Sequence, residues 1–289
     1  MTDLQKLPEI PEDRADDLHH LELMGTADLA LFMAGNQFMV MPALIAAFQQ
    51  QHPEIERIYY QTLPPGLSLK QILAGGARFK AQHLDVRADV YASVNRLAME
   101  KLVAAGHLEP GDFTCYLHNR LTLMVPAGNP AKIAAVTDLA QGHIRISQPD
   151  PANEDIGFHI MDMYRAAGGE ALVHRIMEQK RDAGTAIFTR VHHRETPLRI
   201  ELGNADVGPV WATEVQHARA AGQPIDVVEP GAALDQRDRV DYYIARLKAA
   251  PNPENAEKFI DFITSPTAGE IYRDYGFVPP RKWGDVCKD

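Results

Sequence analysis

Apolar positions along this chain fall into short continuous runs, and most runs are followed at once by residues with helical spacing. The clearest case lies between Asp28 and Pro53. Leu29–Ala34 is uninterrupted and short enough for a buried strand, Gly35-Asn36-Gln37 breaks it, and Phe38, Met41, Leu44, Ile45 and Phe48 then share one helical face. Pro42 is best tolerated in a first turn, so the regular helix is predicted to begin just before it. A helix N-terminus leaves backbone N–H groups unpartnered and carries partial positive charge. Asn36 and Gln37 therefore stand where an anion or polar solute could be held. The alternative is that Asn36 only caps the helix or shapes the turn.

The same unit recurs. Residues 55–62 read as a strand ending in Leu63-Pro64-Pro65-Gly66, and residues 67–74 as a helix stopped by Gly75-Gly76. After a polar connector over 77–86, a strand is expected at 89–93, a helix at 96–105 and one strand signal at 115–126. A short helix opens at 136–139, a strand spans 144–147, and a polar loop over 148–155 leads to an amphipathic helix from Ile156 that closes on Gly168-Gly169 and continues to 179. The unusual run Val191–Leu198 enters a short helix cut by Gly203-Asn204, and 205–211 is an apolar strand ending on Trp211. Strands at 225–228 and 241–247 and helices at 253–263 and 266–275 complete the pattern. Such alternation predicts an α/β fold with largely parallel sheets. Sites in open α/β sheets lie at strand carboxyl ends, and three helix starts fall there, near Asn36, at Gly66 and at Ile156.

Composition alters this picture in few places. The balance of 29 Lys+Arg against 39 Asp+Glu gives −10, which argues against nucleic acid as a bulk partner. An anion would have to be held by local donors rather than by a long-range field. The acidic, proline-bearing residues 1–25 read as an irregular arm, with neither a secretory signal nor a membrane span visible, so the chain is expected to be cytoplasmic if Met1 is the true start, or to have lost a leader. Cys115 and Cys287 match no metal or redox spacing, and Cys115 among Phe113, Tyr116 and Leu117 is expected to be a small buried hydrophobe. No nucleophile elbow, phosphate loop, dinucleotide fingerprint or zinc-protease helix occurs, so an enzyme is not expected, nor any cofactor.

Several segments together carry a family resemblance: FMAGNQF, GLSLKQILAGG, RADVYAS, NRLTLMVPAGNP, HHRETPLRIELGNADVGPVW and the closing EIYRDYGFVPP. In their order and spacing they resemble a type II periplasmic solute-binding protein, and are most similar to the molybdate/tungstate-binding proteins of ABC importers. The resemblance spans roughly residues 28–280. It implies a two-lobe type II periplasmic-binding-protein-like fold with a ligand cleft between lobes and hinge closure. One lobe would hold 26–116 and 234–289, the other 117–233. It also implies a monomer that delivers a small anionic ligand to ABC transporter membrane subunits, if exported to the periplasm or cell exterior. The family's oxyanion donors fall here on Asn36 with Gln37 beside it, on the backbone N–H of Gly66, near Ile156, near His193 next to Arg194, and on Trp211 in place of a tyrosine. Arg194 would add a charge that the family's neutral donor set lacks, suiting a carboxylate or other organic anion; the alternative is a salt bridge to Glu195 or Asp206. A further reading combines His192, His193 and Glu195 with Glu154 and Asp155 to bind a metal ion.

Overall fold

The computed structural model describes residues 7–152, 154, 156–189, 195–237 and 239–280. In chain order the strands are β1 (Glu9–Ile10), β2 (Leu18–His19), β3 (Leu29–Phe32), β4 (Ile58–Gln61), β5 (Ala77–Phe79), β6 (Gln82–Leu84), β7 (Val90–Ser93), β8 (Thr114–His118), β9 (Leu121–Pro126), β10 (Ile146–Gln148), β11 (Ala186–Phe188), β12 (Gly208–Trp211), β13 (Ile225–Val228) and β14 (Asp241–Arg246). The helices are α1 (Met41–Gln51), α2 (Pro65–Ala74), α3 (Arg96–Ala104), α4 (Ile156–His174), α5 (Glu195–Glu201), α6 (Ala212–Ala220), α7 (Pro253–Ile263) and α8 (Pro266–Asp274). They form two compact units. Unit 1 is Met1–Leu117, Asp241–Asp274 and Pro279–Asp289; unit 2 is His118–Val240 and Tyr275–Val278.

Unit 1 is built on a six-stranded sheet of order β2-β4-β3-β7-β14-β8. Its centre is parallel, with Leu29 opposite Ile58 and Leu31 opposite Val90. Strands β3, β4 and β7 are buried along their whole length, which fits the continuous apolar sequence of β3 and the mostly apolar β4 and β7, each ending on a buried polar residue, Gln61 and Ser93. Helix α1 begins as predicted, with Pro42 in its first turn, and buries Met41, Leu44 and Phe48. The Phe48 ring packs 5.3 Å from Phe259 of α7, centroid to centroid. Gly75 ends α2 in the left-handed region at φ 73°, where a side chain would be strained, and its N–H donates to the Ile72 carbonyl.

Unit 2 carries an antiparallel sheet β12-β9-β13 and a parallel pair β10-β11, linked by a parallel bridge between Ile146 and Val207. The expectation of largely parallel sheets therefore holds for the centre of unit 1 and not for β9, which runs antiparallel to both its neighbours. Helix α4 covers the first predicted helix and the start of the second, breaks at Gly168-Gly169, where the backbone leaves helical angles, and is followed by a π-helical stretch over Arg175–Lys180.

Four further expectations are corrected. The N-terminal arm is not irregular among the described residues: β1 pairs with β5, and β2 extends the large sheet antiparallel to β4. The polar connector is a hairpin of β5 and β6, with Phe79 paired to Gln82. The strand signal at 115–126 is two strands, interrupted at Asn119-Arg120. Cys115 is half-buried and disulfide-bonded rather than a free apolar side chain; Cys287 lies outside the described residues. Among the described residues no helix is long and apolar enough to cross a membrane.

Candidate functional site

In unit 1 the adjacent parallel strands β4, β3 and β7 bring three turns to one sheet edge. β3 runs into a 3-10 turn over Gly35–Gln37. A Cβ on Gly35 would sit 3.1 Å from the Thr62 carbonyl oxygen, so the close approach of the β3 and β4 ends requires glycine. The turn buries Asn36, which is 4% exposed. Its Nδ2 donates to the Tyr242 phenol on β14, and its Oδ1 has no partner. Gln37 is turned inward: its Nε2 lies 2.7 Å from the Tyr116 phenol, and its backbone N–H donates to the Ala34 carbonyl. Burial pushes the Tyr116 phenol above its ordinary pKa, so this network stays neutral.

Beyond β4, Pro64 and Pro65 fix the start of α2 and leave Gly66 exposed in its first turn. There Gly66 falls among the N–H groups that a helix leaves without an internal partner. The helix start is fastened from two sides. The Tyr91 phenol donates to the Pro65 carbonyl at 2.9 Å, and Gln61 Nε2 donates to Ser68 Oγ at 2.9 Å. At the end of β7, Ser93 is fully buried, and Asn95 caps α3 by accepting the Ala98 N–H at 2.9 Å.

In unit 2, Ile156 is the buried first residue of α4. A Cβ on the next residue, Gly157, would come within 2.5 Å of Pro151 Cα, so the loop lies tight against the helix start. Glu154 in that loop accepts a hydrogen bond from the Thr189 hydroxyl. Trp211 ends β12 and stands at the N-cap position of α6, 2% exposed, with its ring 5.7 Å from that of His159. Ser147 Oγ, in the middle of β10, lies 2.8 Å from Thr196 Oγ1 and accepts from Arg199 at 3.1 Å. Arg199 also donates to the carbonyls of Ile187 and Phe188 and to the Glu195 carboxylate at 2.6 Å. A cavity of about 640 Å³ runs beside β11, lined among others by Asp150, Arg181, Phe188, Thr189 and Arg199; no sequence-predicted ligand residue lines it among the described residues.

Of the sequence-predicted residues, Asn36 and Gln37 lie on the turn after β3 and Gly66 on the turn after its parallel neighbour β4 in unit 1, and Ile156 and Trp211 stand at a helix start and a strand end of unit 2. His193 and Arg194 lie outside the described residues, as do His192 and Asp155. The carboxylates considered as partners for Arg194 each carry another arginine: Glu195 pairs with Arg199, and Asp206 with Arg145 at 2.5 Å. Glu195 and Glu154, considered for a metal, are thus occupied by Arg199 and Thr189. Sequence reasoning missed Tyr242, Tyr116, Ser93 and Arg199. No local signal marks them, because Tyr242 meets Asn36 across 206 positions of chain.

Residues 29–278 match the family of bacterial extracellular solute-binding proteins, and the chain belongs to that family. It is 24% identical over 217 residues to the molybdate-binding protein ModA of Mycobacterium tuberculosis, covering 75% of this chain and 76% of that protein. Among solved structures, the periplasmic molybdate-binding protein of Azotobacter vinelandii superposes with a TM-score of 0.69 at 20% identity, covering 88% of this chain and all of the other (100%). The sulfate-binding protein SubI of M. tuberculosis gives the same TM-score of 0.69 at 18% identity, covering 88% and 86%.

Proposed function

We propose that this solute-binding protein captures a small tetrahedral oxyanion, molybdate or tungstate, without transforming it, and hands it to the membrane subunits of an ABC-type importer. The proposed ligand contacts are Asn36, the N–H of Gly66, the start of α4 at Ile156, Trp211, and His193 with Arg194. Gln37 has a supporting place, since Tyr116 occupies its amide.

The observation that carries the reading is the Asn36 side chain, buried with one amide end on Tyr242 and the other unpartnered. An unmet buried polar atom is costly unless a ligand meets it. An anion needs the Nδ2 end. Half a turn of the amide supplies it, with the Tyr242 phenol then donating to Oδ1, because a phenol can donate or accept. Unit 1 thereby offers neutral donors, which suit a fully deprotonated anion without an ion pair. The ModA relative binds molybdate by its name, which favours the same ligand here. A disulfide at Cys115 accords with an oxidising compartment outside the cytoplasm.

The test is thermal-shift and calorimetric titration of the purified chain with molybdate, tungstate, sulfate, phosphate, small carboxylates and divalent metals. A ligand that binds only the folded state raises the melting temperature. Molybdate and tungstate should do so and sulfate should not. Asn36→Asp should weaken molybdate by roughly 100-fold, the equivalent of about 2.7 kcal/mol, by setting a negative charge against the anion. A shift with carboxylates or metals alone would replace the ligand, and unchanged molybdate affinity in Asn36→Asp would remove Asn36 from the contacts.

A further inference from the structure

The N-terminal segment precedes the residues that match the family, yet it is woven into unit 1. Ile10 and Leu18 join Leu63, Ala77, Phe79 and Leu84 in a buried cluster. The β2 strand continues the sheet beside β4, with Leu18 opposite Gln61, and the His19 ring stacks on Tyr60 at 4.0 Å and 9°. At the point where β4 becomes the turn toward α2, Asp17 takes hold. Its carbonyl accepts the Thr62 N–H at 2.8 Å, and its Oδ1 accepts the Thr62 hydroxyl at 3.4 Å. Asp17 is 2% exposed, and its Oδ2 lies 3.5 Å from Arg14.

What Asp17 grips matters for the proposed contacts. The Thr62 carbonyl is the atom against which Gly35 packs, one residue before Asn36. Thr62 also opens the turn that presents Gly66. Both unit 1 contacts thus rest on one peptide segment, and the segment is clamped from outside the family core.

We infer that the N-terminal segment is a strap that sets the geometry of the unit 1 anion contacts, with Asp17 as a positioning residue acting through Thr62. The inference rests on the oxyanion reading above. The strap supplies no ligand atom; it narrows the range of positions open to the β4–α2 turn, and preorganised donors bind more tightly than donors that must be ordered on binding.

The experiment uses the full chain with molybdate as probe, read by calorimetry well below the melting temperature. Asp17→Ala and Thr62→Val should each weaken molybdate by roughly five- to tenfold, as expected for loss of one positioning hydrogen bond, and the double variant no further. Asp17→Asn keeps an oxygen for the Thr62 hydroxyl and should stay within about twofold of the parent. Ile10→Val trims the apolar anchor of the strap and should lower the melting temperature while leaving affinity unchanged. If Asp17→Ala lowers the melting temperature but not the affinity, or if the two losses add, the strap is only structural and the inference is overturned. Asn36→Asp run in parallel separates the two ideas. Weakened binding there with an unaffected Asp17→Ala sinks the strap alone, whereas unaffected binding in Asn36→Asp sinks the contact assignment and the strap with it.

Discussion

The strand ends of the two units solve one problem by opposite means. In unit 1 the turns after β3, β4 and β7 are held by amides, hydroxyls and phenols: Asn36 on Tyr242, Gln37 on Tyr116, Gln61 on Ser68, Tyr91 on the Pro65 carbonyl. In unit 2 the corresponding loops are held by charge. Arg199 gathers Ser147, Glu195 and the carbonyls of Ile187 and Phe188 at the end of β11, while Arg145 grips Asp206 through Nε and Nη2 ahead of β10 and β12, at the opposite strand ends. Neutral groups keep their donors available at little desolvation cost, whereas the unit 2 arginines are already neutralised by acids. The difference teaches that the proposed anion contacts of unit 1 depend on neutral dipoles fixed in place, and that an arginine near a strand end need not be a ligand arginine.

The sharpest way to break this contrast is Arg199→Ala. It removes four hydrogen bonds at once and leaves the Glu195 carboxylate, in a partly buried setting, without that guanidinium. Unit 2 should lose about 3 kcal/mol in denaturant unfolding, and Arg199→Lys should recover little because an ammonium cannot reproduce the fork. A loss below about 1 kcal/mol would reduce Arg199 to a surface pair.

Next in size is Tyr242→Phe, which frees the Asn36 amide while keeping the ring. Molybdate affinity should fall roughly three- to tenfold, in line with one buried hydrogen bond. In Asn36→Ala the same substitution should have no further effect, because the phenol acts through the amide. Equal losses in both backgrounds would give Tyr242 another role.

The smallest effect is electrostatic. Burial pushes the Asp206 carboxyl up, but hydrogen bonds from Arg145 outweigh it, and the group ends below its ordinary range. A carboxyl depressed in the folded state stabilises fully above its unfolded pKa of about 3.9, and that stability is lost as pH falls through the folded value. Asp89 in unit 1 has the opposite sign: burial raises it, so its protonation on acidification favours the folded state. Asp206→Asn should therefore lower the melting temperature at neutral pH by about 2 °C and flatten its acid decline below about pH 4. A parallel curve at all pH values would show that Arg145 gains nothing from the charge.

Much of the framework was legible before any coordinates. Pro42 placed the start of α1, Gly75-Gly76 the end of α2, Gly168-Gly169 the break in α4, the continuous apolar run at 29–34 the buried strand β3, and the strand signals at 55–62 and 89–93 the strands β4 and β7. The misses share a cause. Strands β1 and β2 are two residues long, too short for any period to register, and each exists only because a partner strand lies beside it. The split between β8 and β9 falls at Asn119, fully buried, whose Nδ2 donates to Thr213 across 94 positions.

What the sequence determined by itself was the kind and order of the main framework elements and the positions of helix starts at strand ends. Side-chain periodicity, the fixed φ of proline and the freedom of glycine act within a few residues, so they can be read locally. Only the tertiary structure decided which polar groups are spent and which remain. Gln37 and Asn36 are neighbours in sequence, yet Tyr116 occupies the first and Tyr242 leaves one end of the second open. That choice depends on which distant strands the sheet sets against the β3 turn, and strand order is fixed by packing over the whole unit rather than by local spacing.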